Sequence, residues 1–119
     1  MEDNYSPKFT YQDFGPELKM EFFNPDKIAQ TVLDSGAKYL VFTSKHHDGF
    51  ANFDSSYTFG WSSVSIGPGI DVLKHLKDAF LSQDPSFHFG IYYSLFEWLN
   101  PLYLRDKSHS FQTRYKNAH

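Results

Sequence analysis

Lys38-Tyr39-Leu40-Val41-Phe42-Thr43-Ser44-Lys45-His46-His47-Asp48-Gly49-Phe50 divides into two halves of opposite character. Tyr39 to Thr43 is an unbroken apolar and β-branched run. That is the pattern of a strand buried on both faces, as in a parallel sheet covered by helices. A cation, two imidazoles, a carboxylate and a glycine then follow within five residues, Lys45 to Gly49. Polar groups at the C-terminal end of a buried parallel strand are where α/β folds place their active sites. Gly49 allows the backbone to turn sharply out of the strand at little steric cost. Two histidines capping a strand in a solvated loop is the plainer reading, and the density of chemical groups argues against it.

Working outward, the segment before this strand is a helix. Asn24 is its N-cap, Pro25 its first residue and Asp26 lies in its first turn. Ile28, Ala29, Val32 and Leu33 form one apolar stripe to lay on a sheet, and Gly36 is the expected left-handed stop. After the strand, Ala51 to Gly69 is a long segment with Phe53, Tyr57, Phe59 and Trp61 set among Ser, Asn and Gly. Loops of that length inside compact domains are usually functional. Asp71 starts a second helix carrying Val72, Leu73, Leu76, Ala79 and Phe80 on one face, and it ends before Asp84-Pro85. Phe87 to Ser94 is the second strand, with Phe87, Phe89, Ile91 and Tyr93 on one face. His88, Gly90, Tyr92 and Ser94 share the other, which sends Tyr92 inward near the C-terminal mouth; Glu97 and Trp98 sit in the next loop.

The chain is therefore divided into an extended arm (1–23), a βα core (24–104) and a polar, aperiodic tail (105–119) expected to fray. Strand, loop, helix and strand joined by short turns is a (β/α) pattern. Two parallel strands cannot close a barrel, and a (β/α)₈ barrel needs at least about 200 residues. The fold class is α/β, a partial TIM-like barrel of about two strands and two helices.

At 119 residues the chain holds at most one domain. It is 40% hydrophobic and 21% charged, and its aromatic share of 19% exceeds what a small core needs. Such a surplus suits a sugar site, where C–H faces of the ring stack on aromatics, or an interface within a larger protein. A net charge of −3 offers no basic stripe for nucleic acid and no polybasic membrane patch. There is no cysteine, hence no disulfide framework. No stretch approaches the roughly 18 apolar residues of a membrane span, and Met1 to Tyr5 lacks the features of a signal peptide. Asn4-Tyr5-Ser6 is a formal glycosylation sequon followed by Pro7.

Several spaced motifs together resemble one family. Lys45-His46-His47-Asp48-Gly49-Phe50 after its apolar strand, Gly67-Pro68 and Asp71 are joined by Phe89-Gly90-Ile91-Tyr92-Tyr93-Ser94-Leu95-Phe96-Glu97-Trp98 and Pro101-Leu102-Tyr103. Asp3-Asn4-Tyr5-Ser6-Pro7 and Tyr11-Gln12-Asp13-Phe14-Gly15-Pro16 add to them. In this order they resemble the α-L-fucosidases of glycoside hydrolase family 29, over about residues 1–115. The resemblance implies a slice of a (β/α)₈-like catalytic domain that removes terminal α-L-fucose from glycoproteins, glycolipids or oligosaccharides with retention of configuration. It implies no cofactor and no metal, a fucosylated glycan as partner, frequent homo-oligomers, and a lysosomal or secreted location.

The resemblance also implies site residues. The family's paired histidines map onto His46 and His47 and its pocket tyrosine onto Tyr92, with Glu97, Trp98 and Trp61 as outer candidates. A neutral imidazole offers one donor and one acceptor and a phenol offers both, which suits sugar hydroxyls. Adjacent residues of a strand point to opposite faces, so both histidines serve one pocket only if the chain twists between Lys45 and His47. Ile70 stands where the family generally has Lys or Arg, which weakens any ion pair at the start of the second helix. No catalytic residue is assigned within the 119 residues. The family's nucleophilic Asp belongs to a Trp-x-Asp motif on a later strand, its acid/base Glu lies later still, and its first-strand histidine lies upstream of Met1. The expectation is a truncated piece, inactive alone. Two rival classes are a non-catalytic fucose-binding or interaction module, and a metal-dependent hydrolase using His46, His47 and Asp48, whose contiguous ligands are poorly spaced for one ion.

Overall fold

The computed structural model describes residues 5–112. Asn4 of the sequon lies outside them. A 3₁₀ turn, Tyr11–Phe14, interrupts the N-terminal arm, which was expected to be extended with turns only. Asp13 reaches back to both the backbone N–H and the hydroxyl of Thr10 (2.7 and 2.9 Å), closing a capping box.

Helix α1 spans Pro25–Asp34, and the Asn24 side chain accepts from the Lys27 N–H at 2.9 Å. Gly36 follows with φ +80°, the left-handed geometry expected of it. Strand β1, Tyr39–Lys45, runs two residues beyond its apolar part. Helix α2 is Val72–Gln83, and Asp71 caps it through the Lys74 N–H at 2.7 Å. Strand β2 is His88–Tyr93, one residue shorter at each end than expected. It lies parallel to β1, with Tyr39 opposite His88 and Thr43 opposite Tyr92.

Both helices cover one face of this two-stranded sheet. Ala29 of α1, Ala79 and Phe80 of α2, and Phe87 just before β2 are buried together, with Val32, Leu33, Leu40 and Phe89 packed around them. Phe80 and Phe87 stack at 4.8 Å between ring centroids, and Phe89 tilts against Phe80 at 5.6 Å. A buried aromatic of this kind contributes on the order of 3–5 kcal/mol, judged by truncation to alanine.

The expectation of a β1 buried on both faces is corrected. Leu40 and Phe42 face the helices, whereas Tyr39, Val41 and Thr43 are exposed, Tyr39 at 69%. The physical reason is that α1 and α2 supply apolar cover on one side only. Ile91 and Tyr93 on β2 are likewise exposed although they belong to the helix-facing set, because α1 and α2 reach only the Phe87–Phe89 end. Ile28, counted in the α1 stripe, is also exposed.

A third helix, α3, spans Pro101–Ser108, so two helices become three. It crosses the 104/105 boundary drawn between core and tail. Asn100 accepts from the Leu102 N–H at 2.9 Å, Pro101 occupies the first turn, and Arg105 and Lys107 sit in the last. Capping and a favourable charge placement outweigh the polar, aperiodic composition there. Residues 113–119 of the expected tail lie outside the described ones.

The uncovered sheet face and the exposed rings of Phe22, Tyr57 and Phe59 make a surface suited to further protein. The 119 residues expressed alone are expected to be poorly soluble or molten, with strong binding of a hydrophobic dye and narrow amide dispersion in NMR spectra. A cooperative melt with a dispersed spectrum would contradict this.

Candidate functional site

The site is built where β1 ends. In an uninterrupted strand His46 would share the side of Leu40 and Phe42, against the helices. The ladder is not uninterrupted: Thr43 pairs with Tyr92, and the next pair is Lys45 with Tyr93, so Ser44 is one residue too many. The hydroxyl of this buried serine donates to the Tyr92 carbonyl at 2.8 Å, which holds the β-bulge in place. Bulges re-aim side chains beside functional sites. Here the bulge turns Lys45 to the Tyr93 side, its Nζ 4.7 Å from the ring centroid. His46 consequently falls on the Tyr92 side, with 6.0 Å between ring centroids.

His47 enters a turn in which the Gly49 N–H donates to the His46 carbonyl at 3.0 Å. Gly49 has φ +80°, and a Cβ there would come within 2.8 Å of Glu97 Oε2. The turn brings the His47 ring onto His46, stacked at 4.0 Å and 20°. The twist required for both histidines to share one side is thus present, made of a bulge followed by a turn. The two imidazoles and the Tyr92 phenol lie together on the open face of the sheet, at the C-terminal ends of the strands.

The loop after β2 frames His47 from behind. Its Nδ1 lies 2.6 Å from the hydroxyl of Ser94, which also accepts from the Phe96 N–H at 3.1 Å. The Phe96 ring meets it edge-on at 5.2 Å, and the Trp98 ring lies tilted against it at 4.7 Å. The backbones are tied as well: the Ser94 N–H donates to the Lys45 carbonyl (3.0 Å) and the Trp98 N–H to the His47 carbonyl (2.7 Å).

Glu97 points the other way. It accepts from the buried Lys45 ammonium at 2.5 Å, and Lys45 Nζ also donates to the Phe96 carbonyl at 3.1 Å. Lys45 is 2% exposed and Glu97 38%. A cavity of about 640 Å³ opens beside this pair, lined by Asp48, Phe53, Trp61, Tyr93 and Glu97 among others. His46, His47, Tyr92 and Trp98 do not line it. Trp61 packs edge-on against Phe50 at 5.0 Å and donates from Nε1 to the Asp48 carbonyl at 3.1 Å. Of the sequence-derived candidates, the structure therefore brings together His46, His47, Tyr92 and Trp98. It sets Glu97 and Trp61 on the opposite side of the strand ends.

Each carboxylate oxygen of Asp48 accepts one hydrogen bond, from the arm and from its own turn. Tyr11 donates its phenol to Oδ2 at 2.8 Å, and the Phe50 N–H donates to Oδ1 at 3.1 Å. The hydrogen bond to Asp48, then partial burial, then the carboxylate's charge hold the Tyr11 phenol above its usual range. Among the described residues, no three His, Cys, Asp or Glu side chains converge as a metal site requires, and no helix is long and apolar enough to cross a membrane.

Ser44, Lys45 and Ser94 have roles here that residue type alone did not reveal. Ser94 sits inside a family-like motif and Ser44 just before one, both as unremarkable small polar residues. Their roles follow from one extra residue in β1 and from the strand register, which places Ser94 beside His47 across 47 positions of sequence.

Two outcomes follow. Glu97→Gln leaves a buried lysine charge unpaired and is expected to destabilise a full-length protein carrying this segment by about 3 kcal/mol, or less given the partial exposure of Glu97. Lys45→Met combined with Glu97→Gln should recover much of that loss in urea denaturation, and equal losses in single and double variants would argue against the pair. The second outcome concerns pH. Because the folded pKa of Tyr11 is raised above its unfolded value, its stabilisation is complete below about pH 10 and fades as pH rises through the folded pKa. Tyr11→Phe should remove that alkaline component of stability, which denaturation at several pH values would detect.

An α-L-fucosidase family model matches residues 1–119. The chain is 47% identical to a human plasma α-L-fucosidase over 114 residues, which is 96% of this chain and 24% of the relative. It is 47% identical to an α-L-fucosidase of Branchiostoma floridae, covering 96% and 25%. Among solved structures, the Thermotoga maritima α-fucosidase in complex with fucose is similar at 35% identity and TM-score 0.71, over 77% of this chain and 21% of that one. A Lactobacillus casei α-L-fucosidase in complex with α-L-fucose product matches at 31% identity and TM-score 0.69, over 76% and 28%. The chain spans about a quarter of the length of the curated relatives it matches. It belongs to the α-L-fucosidase family.

Proposed function

We propose that these residues form part of the catalytic domain of a retaining exo-α-L-fucosidase, contributing two strands of a (β/α)₈ barrel and one wall of the pocket for the terminal fucose. The observation that carries this reading is the convergence of His46, His47 and Tyr92 on the uncovered side of the strand ends. The face bearing Tyr39, Val41, Thr43 and Tyr92 becomes the barrel interior, and the face covered by α1 and α2 becomes its outside. Active sites of such barrels lie at the C-terminal ends of the strands.

Two imidazoles and a phenol present donors and acceptors in close array, matching vicinal sugar hydroxyls that both donate and accept. The Trp98 ring stands beside His47 at the rim, where a C–H face of the sugar can rest. Retention requires a nucleophilic carboxylate and an acid/base carboxylate about 5–5.5 Å apart. Asp48 and Glu97 are poorly placed for either role, because the first is held by Tyr11 and the Phe50 N–H and the second by Lys45. Both catalytic carboxylates are therefore assigned to other parts of the enzyme. The substrate class is fucosylated glycoproteins, glycolipids or oligosaccharides. A lysosomal or secreted setting agrees with the plasma and tissue fucosidases among the relatives, and homo-oligomers are in keeping with the family.

The commitment of Asp48 and Glu97 to structural bonds also favours one second reading, a fucose-binding module without turnover. Weak fucose binding by the isolated residues, without turnover, would point to the module. The 119 residues alone are expected not to hydrolyse a chromogenic α-L-fucoside, since loss of a covalent nucleophile removes orders of magnitude in rate. Turnover by the isolated chain, abolished by changing Asp48 or Glu97, would show the carboxylates to be misassigned. In a full-length fucosidase carrying the segment, His46→Ala and His47→Ala should each weaken fucose binding by roughly 1–3 kcal/mol, because sugar hydroxyls lose partners. Tyr92→Phe should cost less, as the ring remains. Parent-like affinity in both histidine variants would defeat the glycone reading.

A further inference from the structure

We propose that Ser94 is a positioning residue for His47, holding its imidazole in the Nε2–H form so that the ring meets the sugar as a hydrogen-bond donor. The sugar-facing part rests on the glycone reading above; the tautomer assignment stands on the geometry of Ser94 itself.

Ser94 is 3% exposed, so its single O–H needs an acceptor inside the protein. Its oxygen has two neighbours among the described residues, the Phe96 N–H at 3.1 Å and His47 Nδ1 at 2.6 Å. The Phe96 N–H is a donor and can only be received. The hydroxyl proton therefore goes to His47 Nδ1, which must be the unprotonated, accepting nitrogen. A neutral imidazole carries its proton on the other nitrogen, Nε2. The opposite arrangement would give Ser94 two donors and leave a buried hydroxyl proton with no acceptor, a loss on the scale of an unmade hydrogen bond.

Nε2 of His47 makes no hydrogen bond among the described residues, and no fully buried side-chain nitrogen or oxygen there lacks a partner, so Nε2 is reachable from outside. The ring is also fixed in attitude by its contacts with His46, Phe96 and Trp98. A preset donor in a preset direction requires an acceptor lone pair on the ligand. His46 is different: it is exposed, held by ring contacts alone, and can present either nitrogen as donor or acceptor. The pair thus combines one fixed donor with one adaptable partner. The strand register creates this arrangement, because Ser94 follows β2 where the Ser44 bulge and the turn at Gly49 deliver His47.

The test uses a full-length α-L-fucosidase carrying residues 1–119, labelled with ¹⁵N-histidine, with the His47 signals identified by their loss in His47→Gln. The side-chain nitrogen spectrum of the unliganded enzyme at neutral pH should show His47 as a single Nε2–H form. Ser94→Ala should give a mixture of tautomers and weaken L-fucose about three- to tenfold, whereas Ser94→Thr, which keeps the hydroxyl, should restore both. An Nδ1–H form in the parent overturns the proposal without reference to any variant. So does a Ser94→Ala enzyme that keeps both the single Nε2–H form and the parent's affinity. His47→Ala separates this proposal from the glycone reading. If it binds fucose like the parent while the tautomer pattern is as expected, the glycone reading falls and the tautomer assignment stands; weakened binding together with an Nδ1–H parent sinks the Ser94 assignment alone.

Discussion

One surplus residue in a parallel ladder governs this molecule. The pairing of β1 with β2 aligns the strands, and the bulge at Ser44 shifts their phase before they end. Without it, His46 would turn toward the helices and Lys45 toward the open face. A lysine pointed there would bring a strongly hydrated cation to the place where two imidazoles now stack. The bulge therefore sorts two kinds of group: the ion pair on one side of the strand ends, histidines and tyrosine on the other. Its Ser44–Tyr92 hydrogen bond joins the residue that makes the bulge to the strand that benefits from it.

Burying Lys45 has a cost that its surroundings must offset. Desolvation of an ammonium is expensive, and the compensation comes from a carboxylate, a carbonyl and an aromatic face: Glu97, Phe96 and Tyr93. All three belong to the end of β2 or the loop behind it. The same contacts that neutralise the lysine thereby draw the 94–98 loop over His47, where Ser94, Phe96 and Trp98 fix the ring. Charge compensation on one face and preorganisation on the other are consequences of the same loop placement.

The arm and the long loop brace the turn from outside. Tyr11 holds Asp48 while Trp61 holds its backbone carbonyl, so the residue just after the histidine pair is gripped from two directions. The loop is itself tied back to the sheet and to α2. The Asn52 N–H donates to the Ser44 carbonyl at 2.8 Å, and the Asp54 N–H donates to Asp71 at 3.0 Å. Asp71 thus caps α2 and anchors the loop at once, with no basic neighbour needed at Ile70.

The elements were legible in sequence because each is a local matter. Asn24-Pro25, Asp71 and Gly36 mark helix ends through bonds made within a few residues, and the β-branched run at Tyr39 has no local alternative to a strand. The family-like motifs drew attention to His46, His47 and Tyr92 as well. Composition misled at α3, where caps and terminal charges prevailed, and at β1, where an apolar run gave no measure of which faces other elements would cover. The site's inner logic was beyond local reading. Whether adjacent histidines can share a side depends on an extra residue visible only when two strands are paired. The partners of Lys45 and His47 lie about fifty positions away, at Glu97 and Ser94. Periodicity along one chain assigns a side chain to a face of its own strand; only the register between strands decides what waits for it there.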